Sequence, residues 1–156
     1  PAIFADSDQM IQVLTNLIGN ALKFTPPGGK ITIAARRFHS TEYVVHSKEK
    51  EYKLHAAGQK FANFVEISVT DTGPGISEDD KEKLFQKFSQ LDTDLTRKAG
   101  GTGLGLAITK EIVTKHEGSI RVESELGKGA KFIFTVPKRL TKDESGRLLV
   151  GGRREA

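Results

Sequence analysis

Four glycines stand close together in the segment 99–112, which reads AGGTGLGLAITKEI. Glycine loses more backbone freedom on folding than any other residue, so this clustering indicates a need for bare backbone. Amide N–H groups at the start of a helix form an anion site. The spacing Gly101-x-Gly103-x-Gly105 fits neither a P-loop nor the G-x-G-x-x-G dinucleotide fingerprint. Taken alone, the segment is either a phosphate cradle or a flexible hinge before a helix.

Three polar side chains that could bind a metal or a phosphate follow one stripe of a predicted helix. Asn16, Asn20 and Lys23 have the spacing i, i+4 and i+7. This spacing keeps them within about 60° of each other around a helix. An amide oxygen can coordinate Mg²⁺, and a lysine can neutralise phosphate. The alternative is an exposed polar stripe with no ligand.

A third candidate cluster follows the alternating apolar segment 64–70. Asp71 ends that segment, and Gly73 and Gly75 come directly after it. A buried carboxylate accepts hydrogen bonds, and the exocyclic amine of adenine donates them. The two glycines would let the backbone approach a flat base. The same residues are also good turn formers, so a plain polar turn is the alternative.

The elements that must position these residues follow from the apolar periodicity. Helices are predicted over residues 6–25 and 104–116, with Ser77 capping a short helix between them. A mobile loop is expected over residues 89–103. Strands are predicted over 30–37, 64–70, 119–124 and 131–136. Helices interleave with strands that are mostly joined as hairpins, so the pattern predicts an α+β fold, a mixed sheet with helices on one face.

Composition excludes several classes of protein. The chain has 156 residues, of which 37% are hydrophobic and 28% charged, as is typical of a folded domain. The absence of cysteine excludes a disulfide framework and suits a reducing compartment such as the cytoplasm. The net charge is +4, but +3 of it belongs to residues 138–156. The remaining charge of the domain is too small for a basic, nucleic-acid-binding face, so nucleic acid is not expected as a partner.

Four short motifs occur in the order known from the histidine kinases of two-component signalling. NLIGNALKFT at 16–25 resembles their N box, and DTGPGI at 71–76 resembles their G1 box. LFQKF at 84–88 is similar to their F box, and GGTGLGLAI at 100–108 to their G2 box. The resemblance covers residues 8–137. It implies an α/β sandwich, the Bergerat ATP-binding fold of the GHKL superfamily, with about three helices on one face of a mixed, mostly antiparallel five-stranded sheet.

The same resemblance implies roles for individual residues. Asn20 would bind Mg²⁺, Asn16 would lie alongside it, and Lys23 would meet phosphate, the last two being the catalytic candidates. Asp71 would take the adenine amine. The other cofactor-binding candidates would shape the base pocket, anchor the lid or hold phosphates. They are Gly73, Gly75, Ile76, Phe85, Phe88, Arg97, Lys98, Gly101, Thr102, Gly103, Leu104, Gly105 and Leu106. The two phenylalanines among them would either anchor the lid or simply belong to the core.

The implied activity is that of a protein-histidine kinase using ATP and Mg²⁺. The γ-phosphate would pass to a histidine on a separate dimerisation and phosphoacceptor helical domain, for relay to a response-regulator receiver domain. The four histidines here lack the setting of the family's acceptor, so that group is expected elsewhere. Asn16 stands where hydrolysing relatives carry a glutamate general base, so slow ATP hydrolysis is expected. The alternatives are a GHKL-type ATPase clamp and a degenerate nucleotide-binding module without transfer activity.

The expected domain spans residues 1–138, followed by a flexible basic tail over 139–156. The segment 39–62 is longer than the corresponding connection in a minimal member of the family, and it is expected to form an added hairpin or loop. Such a segment either contacts a partner or is a tolerated surface insertion. The isolated domain is expected to be a monomer, the full-length kinase a homodimer, and the location cytoplasmic, with or without a membrane anchor in the parent.

Overall fold

A computed structural model describes residues 5–40, 42–46, 51–55, 62–87, 103–138, 140–142 and 148–150. Within these ranges the helices are α1 (Ser7–Phe24), α2 (Glu78–Lys81) and α3 (Gly105–Lys115). The strands are β1 (Ile31–Ser40), β2 (Glu42–His46), β3 (Glu51–His55), β4 (Ala62–Asp71), β5 (Ile120–Ser124), β6 (Ala130–Pro137), β7 (Leu140–Lys142) and β8 (Leu148–Val150).

The main sheet has the strand order β1-β4-β6-β5, and each neighbouring pair is antiparallel. In its centre, Ile67 of β4 lies opposite Ala35 of β1 and Phe134 of β6. The predicted α+β class is confirmed. Within the described residues, however, this sheet has four strands where five were expected, and it is antiparallel throughout rather than mixed. The other four strands form two separate antiparallel pairs.

One of these pairs lies within the segment 39–62. Strands β2 and β3 are antiparallel, in register from Glu42 opposite His55 to His46 opposite Glu51. The second pair, β7 with β8, lies within residues 139–156. Both hairpins are separate from the main sheet. The proposed domain boundaries and the purpose of the segment 39–62 remain predictions.

Helices α1 and α3 pack against the main sheet and share its core. On α1 the buried residues recur every four positions, which is the stripe expected of a helix with one face on a sheet. Alternate residues of β4 and β6 meet that stripe, as the period of two in a strand requires. The core consists mainly of Val13, Leu17, Ala21, Val69, Ile112, Val113, Phe132, Phe134 and Val136.

The start of α1 and the end of α3 are joined by His116. The carboxylate of Asp6 caps α1 by accepting a hydrogen bond from the Gln9 N–H over 3.0 Å. The Nε2 atom of His116 accepts a hydrogen bond from the Asp6 N–H over 3.1 Å. Its Nδ1 lies 2.8 Å from the carbonyl oxygen of Ile112, which can only accept, so Nδ1 is the protonated nitrogen. His116 thus links the two helices through both nitrogens of its imidazole ring.

On the sheet face opposite the helices, Glu66 is paired with two arginines. Its side chain is only 3% exposed, and its carboxylate accepts from Arg36 Nε over 2.6 Å and from Arg121 Nη2 over 3.2 Å. Burial raises the pKa of Glu66, but the hydrogen bonds and charges of the two arginines outweigh it, so the pKa lies below the ordinary glutamate value. Three of the four strands of the main sheet are joined by this group.

In the described part of the chain, none of the helices combines the length and the hydropathy needed to cross a bilayer.

Candidate functional site

A cavity of about 180 Å³ opens between the helices and one end of the main sheet. The walls are mostly apolar, and the polar side chains in them come from α1, the end of β4 and the start of α2. Concave, largely apolar sites with a few placed polar groups are typical of small-molecule binding. The lining residues are Asn20, Phe24, Asp71, Pro74, Gly75, Ile76, Ser77, Asp80, Leu84, Leu106, Leu126, Ala130 and Phe132.

Asp71 is the buried acid of this cavity, with 6% of the residue exposed. Its Oδ1 accepts a hydrogen bond from the N–H of Gly73 over 2.8 Å and another from the N–H of Ala130 over 3.3 Å. Two backbone amides therefore fix the carboxylate in position through one oxygen. The other oxygen, Oδ2, can then accept a hydrogen bond from a ligand in the cavity.

The glycine turn after Asp71 is pressed against the hairpin between β5 and β6. Gly75 has φ +74°, and a Cβ there would collide with the carbonyl oxygen of Glu125. The hairpin is fastened to the same turn because the N–H of Gly127 donates to the carbonyl oxygen of Pro74 over 2.7 Å. A Cβ on Gly73 would lie 2.8 Å from both Asp71 Oδ1 and the Phe24 carbonyl oxygen. The bare backbone here closes one wall of the cavity.

The three polar residues of the α1 stripe are placed differently from one another. Asn20 lines the cavity together with Asp71. Lys23 is exposed, and its Nζ lies 5.1 Å from the centroid of the Phe24 ring. Asn16 is turned toward α3, where its Nδ2 donates to the carbonyl oxygen of Gly105 over 3.2 Å. The structure thus brings Asn20 to the cavity and places Asn16 against the first turn of α3.

Helix α3 begins beside the cavity, and among the described residues its N-cap forms no side-chain hydrogen bond. Its N-cap residue is Leu104, whose side chain cannot accept a hydrogen bond from the first amides of the helix. Gly103 just before it has φ +67°, and Leu106 in the first turn lines the cavity. The N–H groups of the first turn and the helix dipole make this end favourable for an anion.

The remaining predicted site residues divide into two groups. Ile76 lines the cavity, and its N–H donates to Ser124 Oγ over 2.9 Å, while Phe85 packs against the core. The other candidates lie outside the described residues: Phe88, Arg97, Lys98, Gly101 and Thr102. Their roles remain predictions.

Several lining residues were not found by sequence reasoning. Leu126 and Ala130 flank the Gly127-Lys-Gly129 turn, and they reach the cavity only because that hairpin folds onto the turn after β4. Leu126 is 65% exposed although it is a leucine. Phe132 enters from a central strand whose alternation predicts burial but not which cavity it lines. The one signal in the sequence was the Gly127-Lys-Gly129 turn, which predicts a hairpin but not the surface that it packs against.

Comparisons with known proteins show the family and the fold of this chain. The family described as histidine kinase-, DNA gyrase B- and HSP90-like ATPase matches residues 5–140. The adaptive-response sensory kinase SasA of Synechococcus elongatus is 42% identical over 137 residues, which is 88% of this chain and 29% of SasA. The chain therefore spans less than a third of that relative.

Two solved structures have the same fold. The catalytic domain of histidine kinase ThkA is 33% identical with a TM-score of 0.60, over 87% of this chain and 70% of that one. Full-length ShkA in complex with AMPPNP is 30% identical with a TM-score of 0.63, over 98% of this chain and 24% of ShkA. The chain belongs to the family of histidine kinase-, DNA gyrase B- and HSP90-like ATPases, as a catalytic domain of the histidine-kinase type.

Proposed function

We propose that this domain binds ATP with Mg²⁺ and passes the γ-phosphate to a histidine on a dimerisation and phosphoacceptor helical domain of the same kinase. The observation that carries the proposal is the Asp71 carboxylate, held through one oxygen by two backbone amides at the edge of an apolar cavity. This acid can select a base that donates a hydrogen bond. Adenine does so through its exocyclic amine.

The apolar walls of the cavity supply the rest of the base site in this proposal. Ile76, Leu106 and Phe132 line it from the turn, from α3 and from the sheet. A flat ring is stabilised between such side chains by burial of apolar surface. The backbone N–H of Ala130 is one of the two amides that orient the Asp71 carboxylate, so this contact does not depend on the side chain at position 130.

The phosphates and the metal would lie between α1 and the start of α3. The first-turn amides after Leu104 favour an anion there, and Asn20 offers an amide oxygen to Mg²⁺. In the described ranges no group of three or more His, Asp or Glu side chains could hold a metal. Mg²⁺ retains several water ligands and binds substrate phosphates. A single amide oxygen from Asn20 therefore fits an ion that arrives bound to its nucleotide. Lys23 would add charge neutralisation.

Transfer is favoured over hydrolysis because Asn16 is no general base. Its side-chain nitrogen is committed to the Gly105 carbonyl group, and an amide does not take a proton from water at neutral pH. The contribution of the chain would be positioning and charge neutralisation, which dominate phosphoryl transfer. A neutral imidazole is itself a nucleophile. Relay to a receiver domain, homodimerisation of the full-length kinase and a cytoplasmic site of action are parts of the same proposal.

The test uses ATP labelled at the γ-phosphate, this domain, and the phosphoacceptor helical domain of its kinase. We expect acid-labile label on the helical domain and little free phosphate when this domain is incubated alone. Rapid hydrolysis without transfer would instead favour an ATPase clamp. Binding with neither reaction would favour a degenerate nucleotide-binding module.

A further inference from the structure

We propose that Thr109 is a positioning residue that orients the side-chain amide of Asn16 toward the nucleotide site. The inference deepens the proposed function and rests on it, since the ligand concerned is ATP with Mg²⁺. Thr109 lies in the second turn of α3 and does not line the cavity. It therefore acts through Asn16 and not by touching the ligand.

Thr109 forms two hydrogen bonds, one as donor and one as acceptor. Its Oγ1 donates to the carbonyl oxygen of Gly105, four residues back on the same helix, over 2.9 Å. The same Oγ1 accepts from Nδ2 of Asn16 over 3.2 Å. A hydroxyl has a single hydrogen, and that hydrogen is used on Gly105. What Thr109 presents to Asn16 is therefore a lone pair.

This arrangement determines which way the Asn16 amide faces. Its nitrogen carries two hydrogens, and the two acceptors before it are the Gly105 carbonyl oxygen and Thr109 Oγ1, each 3.2 Å away. If the amide were flipped, its oxygen would face the Gly105 carbonyl oxygen, and two acceptors would repel each other. With Nδ2 turned to these two acceptors, the amide oxygen of Asn16 is the atom left to face a metal or a water molecule.

The burial of Thr109 supports a role for its hydroxyl as a hydrogen-bond acceptor for Asn16. The residue is 0% exposed, in a helix whose other buried positions are apolar. A buried hydroxyl is costly unless it is hydrogen-bonded, and valine has the same shape without that cost. The hydroxyl completes the pair of acceptors for Asn16, which is a contact between α1 and α3 that valine could not make.

The test compares Thr109→Val, which removes the hydroxyl, with Thr109→Ser, which keeps it. We expect Thr109→Val to weaken binding of ATP with Mg²⁺ about 3- to 10-fold, as for the loss of one hydrogen bond. Thr109→Ser should stay within about twofold of the native affinity. Thr114→Val makes the same chemical change on the same helix, away from Asn16, and should leave the affinity unchanged. Equal affinity for Thr109→Val and the native domain would overturn the proposal.

A double-mutant cycle shows whether Thr109 acts through Asn16. In an Asn16→Ala background, Thr109→Val should cause no further loss of affinity. The same fold loss in both backgrounds would mean that Thr109 acts on the fold and would refute the proposal.

A nucleotide-free measurement separates this proposal from the proposed function. In the NMR spectrum of the isolated domain, Thr109→Val should move the side-chain NH₂ resonances of Asn16 and speed their hydrogen exchange, whereas Thr109→Ser should not. If the native domain failed to bind ATP but these resonances moved, the proposed function would fail and the Thr109–Asn16 contact would stand. Unmoved resonances would refute the contact whatever the nucleotide does.

Discussion

The backbone N–H of Gly73 donates a hydrogen bond to Oδ1 of Asp71 over 2.8 Å, so the turn after β4 folds back onto the residue that ends the strand. The N–H of Ala130, on the neighbouring strand β6, reaches the same oxygen over 3.3 Å. A carboxylate held in this way has one rotamer and one oxygen to offer. The base specificity of the domain is expected to depend on that single oxygen.

Replacing Asp71 by asparagine should reverse the sense of this hydrogen bond. The asparagine oxygen would keep both backbone contacts, so its NH₂ group would stand where Oδ2 stands now and would face the adenine amine, donor against donor. An unsatisfied buried donor costs about 1–3 kcal/mol, so we expect ATP affinity to fall about 10- to 100-fold. Calorimetric titration measures this, and the thermal midpoint should barely change.

Inosine triphosphate provides the control for Asp71→Asn, because it carries an acceptor where adenine carries a donor. The native domain should prefer ATP, and the variant should lose or invert that preference. Equal losses for both nucleotides would mean that Asp71 supports the fold and does not read the base.

Asn20→Ala should weaken ATP binding only when magnesium is present. Asn20 is the one α1 amide in the cavity wall, and a lost amide ligand to the nucleotide-bound cation should lower the affinity roughly 10-fold. Titrations with Mg²⁺ and with EDTA give the comparison. Gln12→Ala removes an exposed amide from the same helix and should have no effect. If the loss were the same with EDTA, Asn20 would not be a metal ligand.

Two glycines of the β5–β6 hairpin allow steric collision to be separated from backbone strain. Gly127 has φ +80°, and a Cβ there would meet no atom of the described residues within 4 Å, so Gly127→Ala should cost only the strain of that conformation, about 1–2 kcal/mol. Gly129 has φ +86°, but a Cβ there would collide with the Asp71 carbonyl oxygen. We therefore expect Gly129→Ala to be clearly less stable in urea unfolding and to bind ATP more weakly. Equal stabilities for the two variants would contradict this packing.

The ion pairs of Glu66 should make the free energy of unfolding depend on pH in the acid range. Because the folded pKa of Glu66 lies below the ordinary value of 4.5, the carboxylate stabilises the fold above that value, and this contribution is lost as the pH falls through the lower folded pKa. Glu66→Gln should lower the free energy of unfolding at pH 7 by about 1–3 kcal/mol. The difference from the native domain should shrink below pH 4.5.

Glu125→Gln serves as the comparison for Glu66→Gln. Its side chain is 67% exposed and pairs with Lys128 on the surface, so the change should be close to neutral at every pH. A difference for Glu66→Gln that stayed constant from pH 7 to pH 3 would show that its ionisation does not support the fold.

Local signals were enough to predict the helices and the central strands. The apolar periodicity of residues 6–25 and the alternation of residues 64–70 each act over a few positions, and the structure has the corresponding elements. The four motifs identified the cavity residues Asn20, Asp71 and Leu106 by resemblance. The strand count was not predictable in this way, because a strand cannot signal which neighbour it will pair with.

The sequence by itself determined the fold class, the main elements and the family, since periodicity is a property of neighbouring residues and the order of the motifs is written along the chain. Only the tertiary structure decided that the Ala130 amide holds Asp71, 59 positions away, and that Asn16 faces Thr109, 93 positions away. The physical reason is that a hydrogen bond depends on the positions and directions of two groups in space. Residue types along the chain do not specify those positions until the helices have packed on the sheet.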